Sequence, residues 1–122
     1  MARILIVDDD EMVRFTIREI LESVGHDITE AENGLRVNNL HKADPFDVII
    51  TDIVMPEKEG FETIRELKRD DPNVPIIAIS GGGRFKTEAY TRIASDLGAD
   101  HGLNKPFDDE QLLKLVNTCL AP

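Results

Sequence analysis

Five side chains able to do chemistry together each stand directly after a short apolar run. Asp8 and Asp9 follow Ile4-Leu5-Ile6-Val7, and Asp52 follows Val48-Ile49-Ile50-Thr51. Ser80 follows Pro75-Ile76-Ile77-Ala78-Ile79, and Lys105 closes a shorter run at 101–104. If those runs lie side by side with their carboxyl ends together, three carboxylates, a hydroxyl and an ammonium meet at one spot. Two carboxylates ~4 Å apart repel by about 1 kcal/mol in bulk water, and several-fold more in a partly buried site. Positive charge must compensate. Oxygen-only donors at a partly open site suit a hard cation, most simply Mg²⁺, which keeps waters and favours phosphate oxygens. Lys105 supplies a second, fixed positive charge. A carboxylate beside such an ion can attack phosphorus and form an aspartyl phosphate. The phosphoryl oxygens then need donors, which Lys105, the Ser80 hydroxyl and backbone N–H groups near Gly81 can provide.

The elements that must position these residues follow from the pattern of apolar positions. Ile4–Val7, Val48–Thr51 and Pro75–Ile79 are continuous, β-branched-rich runs, as strands buried on both faces require. A more polar strand is predicted over His26–Ala31 and a short one near His101–Asn104. Between them lie amphipathic stretches. Val13, Ile17, Ile20, Leu21 and Val24 share one helical face, with Gly25 as the stop. Asn33-Gly34 turns into a short helix near Leu35–His41, broken at Asp44-Pro45. Phe61, Ile64 and Leu67 mark a third helix ending at Asp71-Pro72. Thr87–Leu97 is predicted as a fourth. Leu112, Leu113, Val116 and Leu120 form the stripe of a fifth, capped by Asp108 or Asp109. Five strand–helix units in strict alternation imply a parallel sheet with right-handed crossovers and helices on both faces. In a doubly wound α/β fold of flavodoxin-like strand order 2-1-3-4-5, ligands bind beyond the strands' carboxyl ends.

At these residues the chain resembles the receiver domain of two-component response regulators, similar to the chemotaxis response regulator. The matching pieces are ILIVDDDE (4–11), DVIITDIVMPEKEG (47–60), VPIIAIS (74–80) and GADHGLNKPF (98–107), in order and at the family's separations. The resemblance covers essentially all of 1–122, one receiver domain with no output domain within it. It implies that Asp52 accepts the phosphoryl group and that Asp9 binds Mg²⁺ directly. It further implies that Asp8 binds the metal through water, and Val54 through its backbone carbonyl. Ser80 and Lys105 match the family's hydroxyl and lysine, and the Lys105-Pro106 bond is expected to be cis. A histidine kinase or histidine phosphotransfer protein would donate the phosphoryl group. A downstream target protein would read it, and the domain would be a monomer or a weak, phosphorylation-dependent dimer. The only reactions it would catalyse are its own phosphorylation and dephosphorylation, so it is not an enzyme in the ordinary sense.

Two departures from the family pattern stand out. Gly102 occupies the place, three before the lysine, where the family carries a switch aromatic. His101, Tyr90 or Phe85 are the residues that could replace it. Gly81-Gly82-Gly83 follows Ser80. Val54 and Gly82, two residues after Asp52 and Ser80, offer no side chain to align an attacking water, so slow self-dephosphorylation is expected.

Rival readings are weaker. A phosphatase of the haloacid dehalogenase class needs Asp-x-Asp, and Val54 stands where the second acid belongs. A phosphate loop needs Gly directly before Lys-[Ser/Thr], and Phe85 stands there in Gly81–Thr87. A receiver-like interaction module with impaired switching is kept open by Gly102.

The rest of the composition narrows the classes. Fourteen Lys and Arg against twenty-four Asp and Glu give a net charge of −10, which opposes direct nucleic-acid binding and an anionic membrane surface. A single cysteine, Cys119, has no internal disulfide partner and fits a reducing cytoplasm. It is read as an apolar filler on the last helix. His26, His41 and His101 are scattered without metal-ligand spacing and are read as solvated or turn residues. Asp10 and Glu11 are read as helix N-terminal charges.

Overall fold

The computed structural model describes residues 2–53, 60–80, 92 and 94–121. In chain order the elements are β1 (Arg3–Val7), α1 (Glu11–Glu22), β2 (Asp27–Ala31), α2 (Val37–Ala43) and β3 (Val48–Asp52). Then come α3 (Gly60–Asp70), β4 (Ile76–Ser80), a helical run at 94–97 (α4), β5 (His101–Asn104) and α5 (Asp109–Leu120). The strands form one parallel sheet, as the alternation predicts, in the flavodoxin-like order β2-β1-β3-β4-β5.

Successive residues of a strand point to opposite faces, and this alternation splits the core into two layers. Leu5, Val7, Ile49, Ile53, Ile76 and Ala78 pack against Val37 of α2, Ile64 and Leu67 of α3, and Ala94. Ile4, Ile6, Val48, Ile50, Ile77 and Ile79 pack against Ile17 and Leu21 of α1 and against Leu112 and Val116 of α5. Both layers are required because every residue of β3 and β4 is buried.

Helix ends follow local chemistry. Asp10 caps α1 by accepting from the N–H groups of Met12 and Val13. Asp108 and Gln111 form a reciprocal capping box at α5. Two elements differ from expectation. Helix α1 stops at Glu22, and Val24 is 53% exposed. The chain reverses through Gly25 at φ 91°, with Gly25 N–H donating to Glu22 O and His26 N–H to Leu21 O. That left-handed conformation favours glycine. Helix α2 starts two residues later than Leu35, because Asn33 Oδ1 accepts from Leu35 N–H at 2.9 Å and holds the preceding turn outside the helix.

His41 corrects the reading of the histidines as solvated or turn residues. It is 4% exposed. Its Nδ1 accepts from Phe46 N–H at 3.0 Å, which leaves the proton on Nε2, 2.8 Å from Asp71 Oδ2. The ring thus ties the end of α2 to the end of α3. His26 is half-buried, and its Nδ1 accepts from Ala2 N–H at 3.2 Å. Cys119 packs against the α1/α5 layer, and burial pushes its thiol up to about 11.

Candidate functional site

Strand pairing sets the level of each chemical residue. Val7 pairs with Thr51, so Asp8 and Asp52 leave the sheet at the same height. Asp52 pairs with Ile79, which places Ser80 one step further along the next strand, and Ser80 pairs with Asn104. Lys105 N–H then donates to Ser80 O at 2.9 Å, and the Lys105-Pro106 peptide is cis. The four strand ends therefore deliver their side chains to one rim.

At that rim Lys105 Nζ lies 3.0 Å from Asp8 Oδ2 and 3.4 Å from Asp52 Oδ2. Asp8 is fully buried, Asp52 nearly so, and Asp9 exposed. One carboxylate oxygen from each of Asp8, Asp9 and Asp52 falls within 4.8 Å of the others. Asp8 Oδ1 also accepts from Asp10 N–H at 2.9 Å. Burial is the largest influence on the Asp8 carboxyl and raises it. The Asp10 N–H opposes that rise, the Asp52 charge adds to it, and Lys105 opposes it. The net result is a carboxyl pushed up to about 6. Burial also works against the Lys105 ammonium, but the charges of Asp52 and Asp8 outweigh it and hold the group above its ordinary value. Three carboxylates around one ammonium leave excess negative charge, and an all-oxygen donor set of this kind fits a hard divalent cation.

Ser80 Oγ donates to Asn104 Oδ1 at 3.0 Å, across the β4–β5 pair. Gly102 lies on β5 opposite Ala78 and is exposed, while His101 beside it is half-buried. Val54, Gly81–Gly83, Phe85 and Tyr90 lie outside the described residues.

Residues 4–117 match the response regulator receiver domain. The chain belongs to that family. It is 37% identical to Protein PilH of Pseudomonas aeruginosa, over 99% of both chains. It is 34% identical to the chemotaxis protein CheY of Halobacterium salinarum, over 98% of this chain and 97% of that one. Against the longer transcriptional regulator NtrC of Rhizobium meliloti it spans 24% of the relative, at 31% identity. A response regulator receiver domain from Clostridium thermocellum superposes with a TM-score of 0.88 at 27% identity, covering 98% of this chain and 94% of that one. The protein is thus a receiver domain of two-component signalling.

Three side chains near the rim were not singled out from the sequence. Asn104 partners Ser80 only because β4 and β5 pair in this register. Arg14 donates from Nη1 to the Asp8 backbone carbonyl and from Nε to Glu30 Oε1 at 2.9 Å. Glu30 also accepts at Oε2 from Arg18 at 2.7 Å. Arginines four apart on one helix, Arg14 and Arg18, are the available signal, since both lie on the same side. Their shared acceptor on β2 is set by tertiary packing.

Proposed function

We propose that this receiver domain, residues 1–122, takes a phosphoryl group onto Asp52 from a phosphohistidine of a histidine kinase or histidine phosphotransfer protein. The observation that carries the reading is Lys105 Nζ within 3.4 Å of both Asp8 and Asp52 at a rim shared with Asp9. Asp9 and Asp52 would hold Mg²⁺ directly, Asp8 through water and Val54 by its carbonyl. The ion supplies positive charge to the phosphoryl oxygens as their charge develops. An Asp52 oxygen attacks phosphorus as the donor's N–P bond breaks. Phosphoryl transfer asks mainly for positioning and charge stabilisation. Lys105 meets one phosphoryl oxygen, and Ser80 turns its hydroxyl to another.

Turnover is then confined to the domain's own phosphorylation and dephosphorylation. The domain works in the cytoplasm, as a monomer or a weak phosphorylation-dependent dimer that engages a downstream protein. Direct binding to nucleic acid or membrane is not expected at a net charge of −10. Among the described residues no helix is long and apolar enough to cross a membrane.

Intact-mass measurement after incubation with acetyl phosphate and Mg²⁺ tests the reading. Wild type gains the mass of one phosphoryl group, and Asp52→Asn gains none. Equal labelling of the two proteins, or labelling of wild type that does not require Mg²⁺, would refute it.

A further inference from the structure

Asp8 is tied at every polar atom. Its N–H donates to Ala31 O on β2 at 3.1 Å, its Oδ1 accepts from Asp10 N–H, and its Oδ2 accepts from Lys105. The remaining atom, the backbone carbonyl oxygen, accepts from Arg14 Nη1. That carbonyl belongs to the peptide joining Asp8 to Asp9, and a peptide is a rigid plane. Holding its oxygen therefore fixes ψ of Asp8 and φ of Asp9 together. The plane carries one pocket carboxylate at each end, the buried one and the exposed one.

Arg14 is built for this. Its side chain is 12% exposed. Nε meets Glu30 Oε1 while Nη1 meets Asp8 O, so two directions of the planar fork are in use at once. Glu30 is held in turn by Arg18, which also pairs with Glu22. The outcome is a relay of contacts from the edge strand β2, through α1, to the turn that bears Asp8 and Asp9.

We infer that Arg14 is a positioning residue for the acidic pocket: anchored by Glu30, it holds the Asp8–Asp9 peptide plane and with it the direction of both carboxylates toward a bound divalent cation. The inference rests on the metal-binding reading above. Electrostatics alone predicts the opposite of positioning. Removing a positive charge beside an acidic pocket tightens cation binding, whereas loss of orientation weakens it. The sign of the change separates the two.

The test is a Mg²⁺ titration of the whole chain followed by the amide shifts of residues 8–10, with metal-free stability measured separately by urea unfolding. Arg14→Met is expected to raise the Mg²⁺ Kd by about 10-fold, the low end for residues that orient metal ligands. Arg18→Met removes a like charge from the same Glu30 without touching Asp8, and its Kd should equal or fall below that of wild type even if its stability drops. Where Arg14→Met does not fold, Arg14→Lys is judged by the same criterion, because one ammonium cannot span both Asp8 O and Glu30. A Kd for the Arg14 variant within about threefold of wild type, or lower, overturns the inference. So does an equal rise in Arg14→Met and Arg18→Met. A wild type that shows no Mg²⁺ response overturns the metal-binding reading along with it.

Discussion

Asp8 illustrates how a residue of the candidate site works against stability. Its folded carboxyl sits at about 6, against 3.8 for the free group, with burial as the main cause. Below pH ~4 both folded and unfolded chains carry the proton. Between ~4 and ~6 only the folded chain does, so stability falls as pH rises through this window. Above ~6 the penalty is complete. Asp8→Asn should therefore be more stable than wild type at pH 7 in metal-free buffer, by on the order of 1–3 kcal/mol. The gap should close near pH 4. Urea unfolding at the two pH values checks this, and an Asp8→Asn protein less stable than wild type at pH 7 would contradict it. A bound cation offsets the repulsion among the three carboxylates, the Asp52 charge on Asp8 included. Millimolar Mg²⁺ should raise the melting temperature of wild type by mass action, and Asp9→Ala should abolish the rise. An unchanged wild-type melting curve would mean that the three carboxylates do not act as a metal site.

At the scale of elements, legibility followed burial. Strands β1, β3 and β4 are buried on both faces, so their apolar runs announce them without ambiguity. Ends were less legible, because they depend on single hydrogen bonds. Asn33 moves the start of α2, and the turn through Gly25 ends α1 early. His41 was illegible for a different reason. Its partner Asp71 lies 30 residues away, and nothing local in the sequence marks the pair. The structure makes it a clamp between α2 and α3. Its Nδ1 is the side-chain acceptor for a buried Phe46 N–H. His41→Leu fills the space but removes that acceptor, and a buried unsatisfied N–H costs about 1–3 kcal/mol. An unfolding free energy lowered by that amount, read as a lower urea midpoint at unchanged slope, is the expected result, and an unchanged midpoint would show the clamp to be energetically idle. The pair also has a pH signature. The hydrogen bond from His41 is the first cause holding Asp71 below the ordinary carboxylate range, ahead of the opposing effect of burial. Its contribution is present above the unfolded carboxyl value and is lost as pH falls through the folded one. Asp71 is 40% exposed, so solvent screens much of it.

For the whole molecule, the decisive fact is the strand order β2-β1-β3-β4-β5. It puts β1 and β3 side by side at the centre, so Asp8 and Asp52 emerge together, with Ser80 at the end of β4 and Lys105 directly after β5. The five chemical positions were readable one at a time, but their convergence needed the fold. The route from the rim to the rest of the molecule was not readable at all. Gly102 has no side chain to turn, and it is exposed on the edge strand. Among the described residues, a side-chain contact that crosses from β4 to β5 is Ser80 Oγ donating to Asn104 Oδ1. A hydroxyl that turns to a phosphoryl oxygen gives up or weakens this bond, and the Asn104 amide on β5 must adjust. That adjustment reaches His101–Lys105 directly through the strand backbone. In wild type, a beryllofluoride mimic of the phosphoryl group should shift the amides of 101–105. In Asn104→Ala the carbonyl acceptor is gone before phosphorylation, so those shifts should shrink. Labelling of Asp52 by acetyl phosphate should persist, because Asn104 is not among the residues proposed to hold the metal or to meet the phosphoryl group. Shifts over 101–105 as large in Asn104→Ala as in wild type would place the route elsewhere. Loss of labelling in that variant would instead make Asn104 part of the chemistry. The two outcomes differ because the first reads transmission across the β4–β5 pair and the second reads the reaction at the rim.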